Sequence, residues 1–470
     1  MLDRLTALAP RLRSAFERRS GLVEDSALDR VLQSLQADYA GAGAEPHEDR
    51  LTELADAFGL SELDDLLLTA AVAPELDPTF ATAYALLQGD PSAVRVSAGL
   101  ALELAGSSPL DGPGRDRLAP GAPLRAFDLL DVVGDAPFPL RSLRVPERVA
   151  GHLAGEEHLD PLVATMLVPP VAVQLPESQQ VADALRSGGS LVWVTGHPGS
   201  AGLGICAAAF EALGAAALSV DLRRRPPGTG IADAVRVALR EAGLLLSGLV
   251  IVGAELVAEE AGSAGIRLLE RSPVPVVALS TEAWSARWSS TIPHLVAAPA
   301  LGPQLRSKLW SEHVDVRADT DPEQWTALVG LQLSPEQIAG AARHAASAAR
   351  AADRSGGVDM AQLRESARVL GSSGIKGAVR VRAHQTFADL ALPPLTMQPL
   401  REIVQRVVHR DAVLSQGPVG GKHGPARGIT ALFTGAPGTG KSLAAHVLAG
   451  ELGLDLLTVD LSAVVDKYIG

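Results

Sequence analysis

The sequence predicts an α/β fold: two phosphate-loop modules with a helical lid between them, preceded by a mainly helical region. Three observations carry the prediction. "LVWVTGHPGSAGLGICAAAFEALG", residues 191–214, runs from an apolar strand pattern through a glycine turn into an alanine-rich helix pattern. "ALFTGAPGTGKSLAAHVLAGELGLDLLTVDL", 431–461, repeats that order at an offset of 239 residues without a gap. Thr195-Gly196 falls on Thr434-Gly435, Pro198-Gly199 on Pro437-Gly438, Leu213-Gly214 on Leu452-Gly453, and Val220-Asp221-Leu222 on Val459-Asp460-Leu461. Loop, helix end and second strand keep one register, which makes the pair an internal repeat rather than two apolar runs alike by chance. Residues 1–165, by contrast, show helix periods followed by a hairpin pattern.

The elements follow in chain order. "MLDRLTALAPRLRSAFERRS" reads as an amphipathic helix and lacks the compact apolar run and small-residue cleavage site of a signal peptide. Ser61 precedes an acidic first turn and an apolar run in "SELDDLLLTAAVAP", a helix start. "ELDPTFATAYALLQ" and "VRVSAGLALELA" give further helix patterns, and 107–123 is loop by composition. "LRAFDLLDVV" and "FPLRSLRV", parted by Gly134-Asp135-Ala136-Pro137, predict a hairpin. Helices followed by a hairpin predict a winged-helix-like unit over 1–165. Residues 166–300 form the first α/β module, with further strands in "GLVIVGAELV", 248–257, and "VPVVALSTEAW", 274–284. Helix patterns over 301–372 form the lid, 373–385 a linker, and the second module occupies 386–470.

Composition narrows the class. With 47% hydrophobic and 3% aromatic residues, the cores must be built of Ala, Leu and Val. No window approaches 18 uninterrupted apolar residues, so no membrane span is expected. The single cysteine, Cys206, excludes an internal disulfide, sits on the apolar side of a helix pattern, and points to a cytoplasmic chain. The 11 histidines form no metal-ligand spacing with Cys or acidic residues, so no zinc site is expected. The net charge of −13 lies wholly in 1–165, where 27 Asp and Glu face 14 Arg and no Lys. Such a region repels phosphate backbones and favours docking of protein over nucleic acid. Lysine occurs only at 308, 376, 422, 441 and 467, so each position invites a reason for a compact ammonium.

One lysine has such a reason. Gly435-Ala436-Pro437-Gly438-Thr439-Gly440-Lys441-Ser442 matches G-x-x-x-x-G-K-[ST] at every fixed position, between a strand pattern and a helix pattern. The glycines let the backbone curl so that successive N–H groups face phosphate oxygens, and the helix beginning near Lys441 adds its positive end. Lys441, the catalytic candidate, reaches the β- and γ-phosphates of ATP, and the Ser442 hydroxyl ligates Mg²⁺. The first copy departs at the same places: Gly202 and Leu203 replace the lysine and the hydroxyl. At the end of its next strand Gly253-Ala254 stand where such modules carry Asp-Glu, and Glu255 is one residue out of register. The first copy is therefore expected to be kept for its shape, as a packing partner or ring element.

Taken together, these residues resemble the AAA+ ATPases, a family of P-loop NTPases. "TFADLALPPLTMQPLREIVQRVVHRDAVL", 386–414, looks like the family's leading stretch, whose backbone lines the adenine pocket; the resemblance implies adenine contacts at Asp389 and Leu390. Lys467-Tyr468-Ile469-Gly470 resembles the aromatic pore loop of substrate-threading members, which implies that Tyr468 grips a polypeptide. A winged-helix region, a decayed module and an intact one ending "DLSAVVDKYIG" are similar to the AAA+ ATPases encoded with extracellular contractile injection systems, the phage-tail-like particles. The resemblance implies ATP and Mg²⁺ as cofactors, a homo-oligomeric ring, hexameric in the family, and a protein substrate or particle component as partner, with no nucleic acid and no membrane. By the 239-residue offset the strand at 249–253 would recur near 488–492, which puts the Mg²⁺-binding acids about 20 residues beyond Gly470, so the expectation is a C-terminally truncated chain. The complete form would then be an ATPase that remodels or threads protein, and the 470-residue chain is expected to bind nucleotide poorly and to hydrolyse it hardly at all. The alternative is a non-catalytic scaffold in which nucleotide only fixes conformation.

Overall fold

A computed structural model describes residues 1–18, 30–31, 33–34, 49–189, 191–314, 322–351, 358–371, 378–409 and 429–459. The chain divides into two compact units. One holds Met1–Pro169, Leu175–Thr195 and Cys206–Ala297, and the other holds Pro170–Gln174, Gly196–Ile205 and Ala298–Gly470. Among the described residues no helix is long and apolar enough to cross a membrane.

The first unit begins with helices Leu2–Glu17, Arg50–Phe58, Glu62–Leu76, Pro78–Gln88 and Ala98–Leu104. Their starts are written in polar caps. The Ser61 hydroxyl accepts the Asp64 N–H, and the Asp64 carboxylate accepts the Ser61 N–H at 2.9 Å, a reciprocal box that satisfies both end groups. Asp77 caps the next helix, with Pro78 in its first turn. Two short helices, Gly112–Asp116 and Pro123–Ala126, follow the Gly/Pro-rich stretch. The expected hairpin then forms from β1 (Asp131–Val133) and β2 (Ser142–Arg144), antiparallel, with Ser97 bridging to Ser142 as a rudimentary third strand. It is shorter than its pattern, because 123–126 turn helical at Pro123.

A parallel five-stranded sheet completes this unit: β3 (Leu191–Thr195), β4 (Ala217–Asp221), β5 (Gly248–Val252), β6 (Val276–Ser280) and β7 (His294–Ala297), in spatial order β4-β5-β6-β3-β7. β3 lies between β6 and β7 and is buried over its first four residues, as its unbroken apolar run requires. The connection leaving β3 crosses to the β4 edge, and the one leaving β6 crosses β3 to reach β7. The carboxyl end of β3 is thus the switch point of the sheet, the place where such sheets bind ligands. Trp193 on β3 packs against Trp284 and Trp288 and donates its Nε1 proton to the Glu282 carbonyl at 3.0 Å.

A single apolar core joins the helical region to the sheet, running from Leu8 and Phe58 through Phe127 to Leu239 and Val276. Helix Ile231–Leu244 carries the junction. Gly243 is the seat of the Phe58 ring, since a Cβ there would come within 2.3 Å of it. Arg148 and Glu241 form an ion pair that is buried on both sides, and Arg240 binds Asp128 and Asp160.

The second unit contains helices Pro303–His313, Pro322–Val329, Pro335–Ala351 and Met360–Gly371. It also holds β8 (Ala378–Arg382), which pairs antiparallel with β9 (Asp455–Val459). The stretch expected to be a linker, 373–385, therefore contains a strand, and its Ala-Val-Arg-Val-Arg alternation is the physical reason. Arg368 and Arg380 both bind Asp455, tying helix Met360–Gly371 to the ladder. Helices Pro394–Val408 and Lys441–Glu451 meet in a small apolar cluster of Leu400, Ala444 and Leu448. The strand expected before the second glycine loop does not form a ladder: 429–435 lie outside any sheet, and Leu432 is 87% exposed.

Candidate nucleotide site

The loop at 435–442 is shaped by its glycines. Gly435, Gly438 and Gly440 have φ of +152°, +82° and +88°, conformations that side chains strain to reach. The turn exposes Ala436, Pro437 and Thr439 and delivers the chain into helix Lys441–Glu451. Its first backbone bond runs from the Ala444 N–H to the Gly440 carbonyl, 2.9 Å. The N-cap is Gly440, so no side chain caps the helix start, and the leading N–H groups are presented for an external acceptor. The Lys441 ammonium folds over the loop and donates to the carbonyls of Gly435 (2.9 Å) and Ala436 (2.7 Å). Ser442 is exposed on the first turn.

This arrangement fits ATP. It offers uncapped amides, a cation and a hydroxyl, with no carboxylate in the loop to repel phosphate. Among the described residues no group of three or more His, Cys, Asp or Glu could hold a metal ion. Ser442 and the phosphates themselves are the oxygen ligands on hand for Mg²⁺, a cation that takes few protein ligands.

The other expected site residues divide. Asp389 ends the 3₁₀ turn Phe387–Asp389, and its carboxylate accepts the Thr386 N–H at 2.7 Å, a capping duty. Leu390 packs on the cluster of Leu400, Ala444 and Leu448, which places it against the helix that Lys441 begins. The Phe387 N–H donates to Glu451 at 2.7 Å, anchoring the same turn to the far end of that helix. Tyr468, with Asp460 and Lys467, lies outside the described residues.

The first copy differs in backbone as well as in side chains. Only Gly199 (φ +80°) keeps the left-handed turn of its counterpart Gly438; Gly196 and Ala201, opposite Gly435 and Gly440, have no positive φ. The Ala201 N–H is turned onto the Pro299 carbonyl at 2.9 Å, and Ser200 bridges to Ala300. Gly199 is pressed on the Gln332 carbonyl, which a Cβ would approach to 2.3 Å. At the carboxyl end of β5, Gly253 has φ +80°, and Ala254 is fully buried. Glu255 is also buried, and its carboxylate accepts the Thr281 N–H at 3.2 Å, a structural duty that occupies the displaced acid. Sequence reasoning missed the role of Pro299 and Gln332, for they act through backbone carbonyls, which leave no mark in residue type.

In the helical region the arginines nearest the hairpin are spent internally. Arg117 binds the buried Asp64, Arg125 lies 3.6 Å from Asp131, and Arg115 sits 4.2 Å over the Phe138 ring. A cavity of about 620 Å³ there is lined by five carboxylates against two arginines. One of the carboxyls, Asp128, is held above its ordinary pKa by burial, which the Arg240 and Arg236 charges only partly oppose.

Comparison with known proteins matches this layout at both ends. Residues 5–167 match the family described as winged helix domain, variant, and residues 431–470 match the ATPase family associated with various cellular activities (AAA). The ATP-dependent zinc metalloprotease FtsH of Syntrophotalea carbinolica is 27% identical over 186 residues, which is 39% of this chain and 26% of that protein. The chloroplastic ATP-dependent zinc metalloprotease FTSH 9 of Arabidopsis thaliana is 35% identical over 85 residues, 18% of this chain and 10% of that protein. These matches span about a quarter and a tenth of the relatives' own lengths. The chain is thus similar to winged helix domains over 5–167 and to AAA ATPases over 431–470.

Proposed function

We propose that the chain binds ATP with Mg²⁺ at 435–442 and serves a ring-forming AAA+ ATPase that remodels or threads protein, in assembly of a contractile injection particle in the cytoplasm. The observation that carries the ATP site is the Lys441 ammonium poised over a three-glycine turn at an uncapped helix start. In this reading Lys441 neutralises the β- and γ-phosphates, the loop amides from Gly438 to Ser442 hold their oxygens, and Ser442 orients Mg²⁺. Bound Mg²⁺ would supply charge neutralisation at the β- and γ-oxygens. Asp389 and Leu390 lend backbone to the adenine side, Tyr468 grips the polypeptide, and the 1–165 region docks a protein partner. The helices over 301–372 form a lid on the first copy.

The test is a titration of the 470-residue chain with a fluorescent ATP analogue and Mg²⁺. Lys441→Ala should weaken binding by about tenfold to a hundredfold, the worth of a charge-assisted contact. Gly202→Ala should change nothing, and equal weakening by both substitutions would sink the assignment. A second reading, a nucleotide-dependent scaffold without turnover, is favoured by Gly253-Ala254 in the first copy. Phosphate release measured alongside ATP-dependent oligomerisation separates the two: assembly without release favours the scaffold.

A further inference from the structure

The first glycine loop is filled by its own chain. Two short segments meet it. Pro299 accepts the Ala201 N–H and Ala300 bridges to Ser200, while the Gln332 carbonyl rests on Gly199. A third contact comes from Val173, whose N–H donates to the Gly204 carbonyl at 3.1 Å. The contacts at Gly199 and Ala201 fall opposite positive-φ glycines of the intact copy. Ala201 corresponds to Gly440, whose φ of +88° turns the chain toward an open helix start, and Gly199 corresponds to Gly438.

One buried side chain holds both segments in place. Arg306, 1% exposed, donates from Nη1 to the Leu301 carbonyl and from Nε to the Val329 carbonyl, each at 2.6 Å. Leu301 follows Ala300 directly, and Val329 leads through one turn to Gln332. The apolar neighbours Leu301 and Leu333 are each 3% exposed, so the two segments are anchored in a core as well as by the guanidinium. A fully buried cation is costly unless its donors are satisfied, and backbone carbonyls meet two of its N–H groups here.

We infer that 299–300 and 331–333, clasped by Arg306, form an intramolecular plug that occupies the phosphate position of the first loop and holds helices Pro303–His313 and Pro335–Ala351 against it whether or not nucleotide is present. A loop that elsewhere opens and closes on a ligand is here closed by a permanent internal one. The first loop is then fixed, and any response to nucleotide rests with the second copy.

Amide hydrogen exchange of the full 470-residue chain, with and without Mg²⁺ and a non-hydrolysable ATP analogue, tests this. In the wild-type chain, amides of 196–205 and 330–340 should exchange at the same rate in both conditions, and the same should hold in Lys441→Ala. Arg306→Met should speed exchange at Ala201 and across 330–340 by roughly tenfold or more, the worth of two charge-assisted bonds, while β3 and β6 stay protected. Gly199→Ala should do the same by forcing the Gln332 carbonyl away. Nucleotide-dependent protection of 196–205 in Lys441→Ala would overturn the inference, as would unchanged exchange in both plug variants. If neither plug variant folds, the wild-type and Lys441→Ala comparison decides alone. Failure of ATP binding at 435–442 would show as unchanged exchange there and leaves the plug result independent.

Discussion

Replacing Arg148 by Met tests how the helical region is fastened to the sheet. Arg148 donates from Nε and Nη2 to a single oxygen, Glu241 Oε1, at 3.0 and 2.8 Å, and the two side chains are 5% and 0% exposed. The remaining atoms, Arg148 Nη1 and Glu241 Oε2, have no partner among the described residues. The methionine keeps the stem's packing and removes the cation, leaving a buried carboxylate with nothing to balance it. That should cost about 3–5 kcal/mol. The double variant Arg148→Met/Glu241→Leu removes both charges and both unmet polar atoms, and such replacements of buried pairs are often neutral or stabilising. Thermal unfolding followed by tryptophan fluorescence is the assay, since Trp193, Trp284 and Trp288 report from the same unit. At about 2–4 °C per kcal/mol, the single variant should melt roughly 6–20 °C lower, and the double should recover most of that. The reasoning fails if the single variant melts within 2 °C of the parent, about the effect of 1 kcal/mol or less, or if the double is no more stable than the single.

Four further outcomes are expected. Burial, then the charges of Arg148 and Arg50, lowers the His152 pKa from 6.5 to about 4. Between those values the unfolded chain takes up a proton that the folded chain refuses, so stability should be full above pH 6.5 and fall toward pH 4. His152→Gln should flatten that part of the stability–pH curve. Ser61→Ala should lower stability by about 1 kcal/mol in the same melting assay, through loss of the cap that also orients Asp64. The full chain should show no salt-sensitive binding of duplex DNA below about 100 μM in a mobility-shift titration, because 27 acidic residues face 14 arginines over 1–165 and Arg117 and Arg125 are already paired. Tyr468→Ala should leave ATP affinity unchanged and abolish ATP-dependent capture of an unfolded polypeptide, read by co-sedimentation; undiminished capture would remove Tyr468 as a gripping residue.

What the sequence made legible is what side chains encode locally. Ser61 and Asp64 lie three residues apart and specify their own cap, and the unbroken apolar run 191–195 could only be a strand buried on both faces. The glycine loop at 435–442 was legible because φ above zero and a phosphate-reaching ammonium each demand one residue type. β7 was missed because four residues behind Pro293, with one buried side chain, give no period to detect. β8 alternates plainly over Ala378–Arg382, but glycines on its N-terminal side masked it as a linker. The strand pattern at 431–434 promised a ladder that the described residues do not supply: the one ladder in that region joins β9 to β8. The plug was illegible in principle, since Pro299 and Gln332 act through carbonyls that every residue carries.

Phe58 resting on Gly243 has a consequence for how such a chain could have been put together. Domains that recombine as cassettes meet at polar joints that survive a change of neighbour. Here the joint is apolar core, closed by a ring lying where a Cβ would stand and by a guanidinium buried against Glu241. A rearrangement that grafted a different leading segment near residue 165 would remove the Phe58 ring from its seat at Gly243 and strand the Glu241 carboxylate in the breach. The helical region and the sheet are therefore tied to each other, and a different leading segment would have to bring its own partners for Gly243 and Glu241.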